Sequence, residues 1–273
     1  MQIAPRYRQI LDQSRPFLVA HKSSLPYLKR APMGIAIENE FIFDPTTLRS
    51  RDIIDGLHAL DGATFGPEAM LMPRWVLFDC GEMPGIVFGF LRPLKDLPEP
   101  ARRVYGADLN KWVPISMWVG IPCAEPGTWF GHNLSSINVA LEEGKIPGLA
   151  MLTKVLGIAV SGAKKQQGAT QWSSSSITIH AGIGEMLLLS AWTPAHSYPD
   201  TLSYCIDIQN DRLFDCLKEG AGKAAVQFNR KIDPNDENAL QNLQLELEAG
   251  ARIYLMGAER GSAGQIQSLL LKQ

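Results

Sequence analysis

Between residues 148 and 160 the chain is apolar at helical spacing, with Leu149, Leu152, Val155, Leu156, Ala159 and Val160 recurring every three or four positions. Strand-like runs stand on both sides: WVPISMWVGIP (112–122) before it, then ATQW (169–172), EMLLLSAW (185–192) and TLSYCIDI (201–208) after it. Such alternation predicts a mixed α/β (α+β) fold, with a mostly antiparallel central sheet flanked by helices. The helix is expected to continue to Gln167, placing Lys164 and Lys165 at its C-terminal dipole, and to stop at Gly168. It is too short to span a bilayer and carries Lys154, so no transmembrane segment is expected.

Upstream, Tyr7, Ile10 and Leu11 mark a short helix, and Pro16, Pro26 and Pro32 suggest an extended N-terminal arm over residues 1–32. GIAIENEFIFD (34–44) alternates like a strand, and Ile53, Ile54, Leu57 and Leu60 then repeat at helical spacing. WVLFDC (75–80) and IVFGFL (86–91), joined by GEMPG, predict a β-hairpin. CAEPGTWFGHNLSSIN (123–138) predicts a loop. Residues 33–210 would then form the core domain, with 211–273 as an extension packed on it. A helix over residues 236–247 gives that extension a Leu240, Leu243, Leu247 face, which could pack on the core, complete an acceptor pocket or meet a second copy in a homodimer.

Apolar residues make up 45% of the chain and charged residues 20%, so it is expected to fold by burial. A formal net charge of −2 offers no global attraction to phosphate backbones, which makes nucleic acid an unexpected partner. Cys80, Cys123, Cys205 and Cys216 show no paired spacing, so neither zinc nor a redox dithiol is indicated. With no signal-peptide pattern in the first twenty residues, the expected compartment is the cytoplasm.

The segment Lys145-Ile146-Pro147-Gly148-Leu149-Ala150 opens the apolar helix, and a helix N-terminus after a glycine loop offers unpaired N–H groups to a pyrophosphate. Lys145, Gly148 and Ala150 occupy the marked positions of the signature that opens the same helix in GNAT-type N-acyltransferases. The surrounding order is also similar: paired apolar runs upstream, the helix, strand ATQW, and a short helix closing on Gly184. The chain resembles that superfamily over residues 145–184, within a wider span of 33–208. The resemblance implies a GNAT-like fold, acyl-CoA as co-substrate held at Lys145, Gly148, Leu149, Ala150 and Met151, no metal, and transfer to an amine small molecule. It also places His180 where the family carries a tyrosine that protonates the leaving thiolate.

Other candidates surround this segment. Glu142 and Glu143 are the nearest carboxylates, either a base or a solvated connector. His180 is either the acid or a core imidazole. Trp129 and His132, and separately His196 and Tyr198, combine aromatic surface with hydrogen-bonding groups and could contact the acceptor, or could simply build a corner and a hairpin. Serines 173–176 suit N-capping. Two alternatives to the enzyme stand: a GNAT-fold binding protein without catalysis, and a hydrolase using Cys123 with His132.

Overall fold

The computed structural model describes residues 3–82, 85–106, 108–209, 212–220, 227–261 and 266–273. They form two compact units, Met1–Ala163 and Lys164–Gln273. The boundary falls inside the 33–210 segment that the sequence suggests as one core.

In chain order the first unit contains α1 (Pro5–Gln13), β1 (Arg15–Val19), β2 (Ile42–Phe43), α2 (Arg51–Phe65), α3 (Arg74–Glu82), β3 (Ile86–Pro93), α4 (Glu99–Tyr105), β4 (Trp112–Pro122), β5 (Thr128–Ser136) and α5 (Leu149–Ser161). Its strands run in the order β2-β1-β3-β4-β5. The β1–β2 pair is parallel; β1–β3, β3–β4 and β4–β5 are antiparallel. Helix α5 lies against β3, β4 and β5 and is buried along nearly its whole length. Trp118 of β4 makes this packing close: a Cβ at Gly157 of α5 or at Gly120 of β4 would overlap its indole. A buried hydroxyl pair, Ser116 Oγ to Thr153 Oγ1 at 2.7 Å, ties β4 to α5, and Thr153 Oγ1 also donates to Leu149 O at 2.8 Å.

The structure differs from the sequence expectation at several elements. Within residues 1–32, which the sequence suggests as an N-terminal arm, β1 is paired on both edges and Phe17, Leu18 and Val19 are fully buried. The run 75–80 is helical, with Leu77, Cys80 and Gly81 turned inward at helical spacing. No hairpin therefore precedes β3; residues 83–84 of the GEMPG connection lie outside the described residues. Only Ile42 and Phe43 of the run 34–44 are strand. The 123–138 loop is largely β5, turned back on β4 through Gly127 at φ +82°, with Cys123 N donating to Thr128 O at 2.8 Å. Helix α5 stops at Gly162, whose φ of +68° is the left-handed C-terminal stop, so Lys164 and Lys165 lie beyond it.

The second unit contains β6 (Lys165–Gln171), α6 (Ile177–Ala181), β7 (Met186–Ser190), β8 (Thr201–Asp207), β9 (Arg230–Ile232), α7 (Glu237–Glu248), β10 (Tyr254–Arg260) and β11 (Ile266–Lys272). Its strands run β6-β8-β7-β10-β11-β9, and each neighbouring pair is antiparallel. The mixed, mostly antiparallel fold class is as expected, although residues beyond 210 supply strands as well as a helix. Asp236 caps α7 by accepting from Ala239 N at 3.0 Å. Leu240 and Leu243 are buried, and α7 packs on β7. Gln244 Oε1 accepts from Ala191 N and Trp192 N, fastening the helix to the strand end. Among the described residues no helix is long and apolar enough to cross a membrane.

Candidate functional site

The connector into α5 is held from one side chain. Asn138 accepts from Ile146 N at 2.8 Å through Oδ1 and donates to Ile146 O at 2.9 Å through Nδ2. Gly148 then turns the chain at φ +83° and becomes the N-cap of α5. Space there is limited, since a Cβ on Gly148 would come within 2.6 Å of the Tyr7 ring. The sequence suggests that a small residue is needed to admit phosphate, and the structure supplies a second reason: Tyr7 of α1 occupies that side.

Pro147 has no N–H, Ile146 N–H is taken by Asn138, and Leu149 N–H reaches Ile146 O at 3.3 Å. The N–H groups of Ala150 and Met151 have no backbone acceptor among the described residues, as the first turn of a helix dictates. Both residues are partly exposed, and Lys145 is exposed beside them. This end of α5 offers two oriented donors, the positive dipole end and one exposed cation, a set that fits a pyrophosphate. Glu142 and Glu143 are exposed on the connector.

A second polar group in the first unit joins α2 to β5. Asp61 is fully buried; its Oδ2 accepts from Met72 N at 2.7 Å and its Oδ1 from Asn133 Nδ2 at 2.7 Å. Ser135 Oγ donates to Asn133 Oδ1 at 2.7 Å and fixes the amide. Burial raises the Asp61 pKa above the usual carboxylate value, against the lowering effect of these hydrogen bonds and of the His58 and His132 imidazoles. His132 is open to solvent on β5, yet dense packing on its other sides lowers its pKa, with Asp61 acting in the opposite direction. Phe130 stands edge-on to the His132 ring at 6.3 Å, and Trp129 is half-buried beside it. The sequence marked His132 and missed Asp61. The signal was present, because Asp61 follows Leu57 and Leu60 on the inward face of α2, where an acid needs partners.

In the second unit His180 is buried in α6 with its ring 5.2 Å from that of Tyr204. The hydroxyls of Ser174 and Ser176 bond each other at 2.9 Å, and Ser176 also bonds Thr170. Ser176 makes no side-chain cap to α6, contrary to the capping expectation. His196 Nδ1 accepts from Tyr198 N at 3.0 Å, and the two rings lie 6.0 Å apart, so this pair closes the turn between β7 and β8.

A Cys123–His132 dyad is ruled out by register. Cys123 faces Thr128 at the hairpin end, and His132 lies four residues farther along β5, roughly 13 Å away at strand rise. Among the described residues no three His, Cys, Asp or Glu side chains gather at metal-holding distance.

No protein-family model and no curated protein matches the chain. Solved structures do. An aminoglycoside 6'-acetyltransferase of type Ii is similar over 61% of this chain and 95% of its own, at 11% identity and a TM-score of 0.41. The NatC complex bound to Gag peptide and CoA is similar over 61% and 97%, at 13% identity and 0.39. A protein from Desulfovibrio desulfuricans assigned to the GNAT family as an acetyltransferase is similar over 61% and 96%, at 12% identity and 0.37. With TM-scores below 0.5 they transfer no site residue to this chain.

Proposed function

We propose that this chain is a GNAT-type N-acyltransferase that moves the acyl group of an acyl-CoA thioester to an amine. The carrying observation is the first turn of α5, where Ala150 and Met151 present unpaired N–H groups beside exposed Lys145, on a connector held by Asn138. Donors that are already oriented cost no reorganisation when a pyrophosphate arrives. Holding the thioester and the amine in reacting geometry then supplies most of the rate. In the reaction the amine lone pair attacks the thioester carbonyl, a C–N bond forms, the C–S bond breaks, and the sulfur leaves with the electron pair. The resemblance gives His180 the protonation of that sulfur, a role carried by sequence order. Trp129, His132, His196 and Tyr198 are the acceptor-contact candidates, and Glu142 is the sequence's candidate base.

Calorimetry with coenzyme A tests the reading. Ala150→Asp places a carboxylate at the second helical position, which favours the helix dipole by about 0.3–1 kcal/mol and repels phosphate. The expected result is binding by the wild-type chain and loss of binding by a folded variant. Absence of binding heat from the wild-type chain would remove the reading.

A second reading, a GNAT-fold binding protein without catalysis, is favoured by the burial of His180 against Tyr204 and by Pro147, which lacks a donor. Thermal stabilisation by acyl-CoA without thiol release on adding amines would select it.

A further inference from the structure

The ends of three neighbouring strands enclose a cavity of about 460 Å³ in the first unit. Its walls are set by register: Arg15 opens β1 opposite Leu91, and Pro93 closes β3 opposite Trp112, the first residue of β4. Asp12 and Gln13 at the C-terminal end of α1, with Asp96 in the turn Leu94–Asp96 after β3, complete the lining. That volume falls in the range that holds a small molecule. None of the lining residues belongs to the connector into α5.

The charges around this cavity are opposed and unpaired. Arg92 is half-buried, and its guanidinium is fixed by neutral acceptors: Nε donates to Ser14 Oγ at 2.9 Å and Nη2 to Gln13 Oε1 at 3.0 Å. Among the described residues its Nη1 donates to no group and no carboxylate stands at ion-pair distance. Arg15 donates to Ser14 O at 3.2 Å and meets Glu38 only at 3.8 Å, between half-exposed side chains, where an ion pair is worth little. Asp12 and Asp96 are exposed and form no ion pair or hydrogen bond among the described residues. Two cations and two anions therefore line one cavity without pairing with one another. Trp112, itself half-exposed, adds an aromatic surface.

We propose that this cavity binds a free α-amino acid with an apolar side chain, at a site that stands independently of the acyl-transfer reading. A lining of one sign would select a phosphate or a simple cation. The balanced set selects a ligand that carries both charges close together. The α-carboxylate accepts from the free Nη1 of Arg92 and from Arg15, and charge-assisted bonds of this kind are the strong ones. Because Ser14 and Gln13 already hold the Arg92 guanidinium, little ordering is left to be done on binding. The α-ammonium lies toward Asp12 and Asp96, and the side chain packs on Trp112 and Pro93.

Calorimetry on the full chain at pH 7 tests this with L-phenylalanine and L-leucine, and with the N-acetyl and methyl ester derivatives of whichever binds. The expected result is binding of the free amino acid and at least about tenfold weaker binding of both derivatives, each of which lacks one charge. Variants assign the two ends. Arg92→Gln should weaken the amino acid and the methyl ester unequally, with the loss confined to the ligand that has a carboxylate. Asp12→Asn with Asp96→Asn, both at exposed positions, should weaken the amino acid by at least about tenfold and leave the N-acetyl derivative unchanged. Should Arg92→Gln fail to fold, the aspartate variant and the derivatives still decide. Binding heat from neither amino acid would overturn the proposal. So would an N-acetyl derivative that binds as tightly as its parent, which would make the cavity a simple anion site, or an affinity that both sets of variants leave intact. Coenzyme A binding at α5 is measured separately, so either reading can fail while the other stands.

Discussion

Gly148 shows how one residue can serve packing and binding together. Its φ of +83° costs an L-residue about 1–2 kcal/mol, and a Cβ would press on Tyr7. Gly148→Ala should therefore lose at least about 1 kcal/mol in urea unfolding, whereas Ala150→Asp should keep its stability and lose coenzyme A. Together the two variants separate the fold of the connector from its binding. A substitution at Gly148 alone would confuse them. The spacing of Lys145, Gly148 and Ala150 made this segment visible in the sequence; the Tyr7 contact, made from 141 positions away along the chain, was not. Asp61 was half legible in the same sense: an acid on an apolar helix face is a readable anomaly, but its partner Asn133 comes from β5. Cys80 carries a further prediction. Burial, with a smaller contribution from Asp79, raises its pKa to about 11. Alkylation of the native protein at pH 8, followed by mass spectrometry, should leave Cys80 unmodified until denaturant is added.

At the scale of elements, α5 sets two preferences against each other. Alanine is favoured over glycine inside a helix by about 1 kcal/mol, so Gly157→Ala should stabilise by propensity alone. The Cβ would overlap Trp118, a fully buried side chain with nowhere to move, and such overpacking costs roughly 1–3 kcal/mol. The expected outcome is a lower urea midpoint for Gly157→Ala. Restored stability on shrinking the indole, as in Gly157→Ala with Trp118→Phe, would confirm the cause. Helix α7 depends on ordinary capping, and Asp236→Ala should cost about 1 kcal/mol by the same measurement. Elements with one clear period were legible: β4 matches the 112–122 run, and α7 matches the 236–247 pattern. The run 75–80 was not, because a six-residue apolar stretch suits either a strand or a helix, and the neighbours decide. Segment 123–138 misled for another reason. Its Pro-Gly turn is a local signal, whereas the strand that follows it, Thr128–Ser136, is fixed by pairing with β4.

For the whole molecule, the buried cation of α5 links stability to pH. Burial holds the Lys154 pKa well below its ordinary value of 10.5. Between the lowered folded pKa and about 10.5 the unfolded chain binds more protons than the folded one, so stability rises with pH through that window. Urea midpoints should be higher at pH 9.5 than at pH 7, and Lys154→Met should reduce that slope. Asp61 has the opposite sense: its raised pKa adds stability below the unfolded value of 3.8 that is lost as pH rises through the folded pKa. By itself the sequence determined the mixed α/β class, most of the helices and strands, and the place where a helix opens on a glycine connector, because periodicity and turn chemistry are local. Tertiary structure decided that β1 enters the sheet, that residues 75–80 coil, that Tyr7 fills one side of Gly148, and that Asp61 meets β5. Each of those depends on which distant surface is available for burial, and that information lies in no single window of the chain.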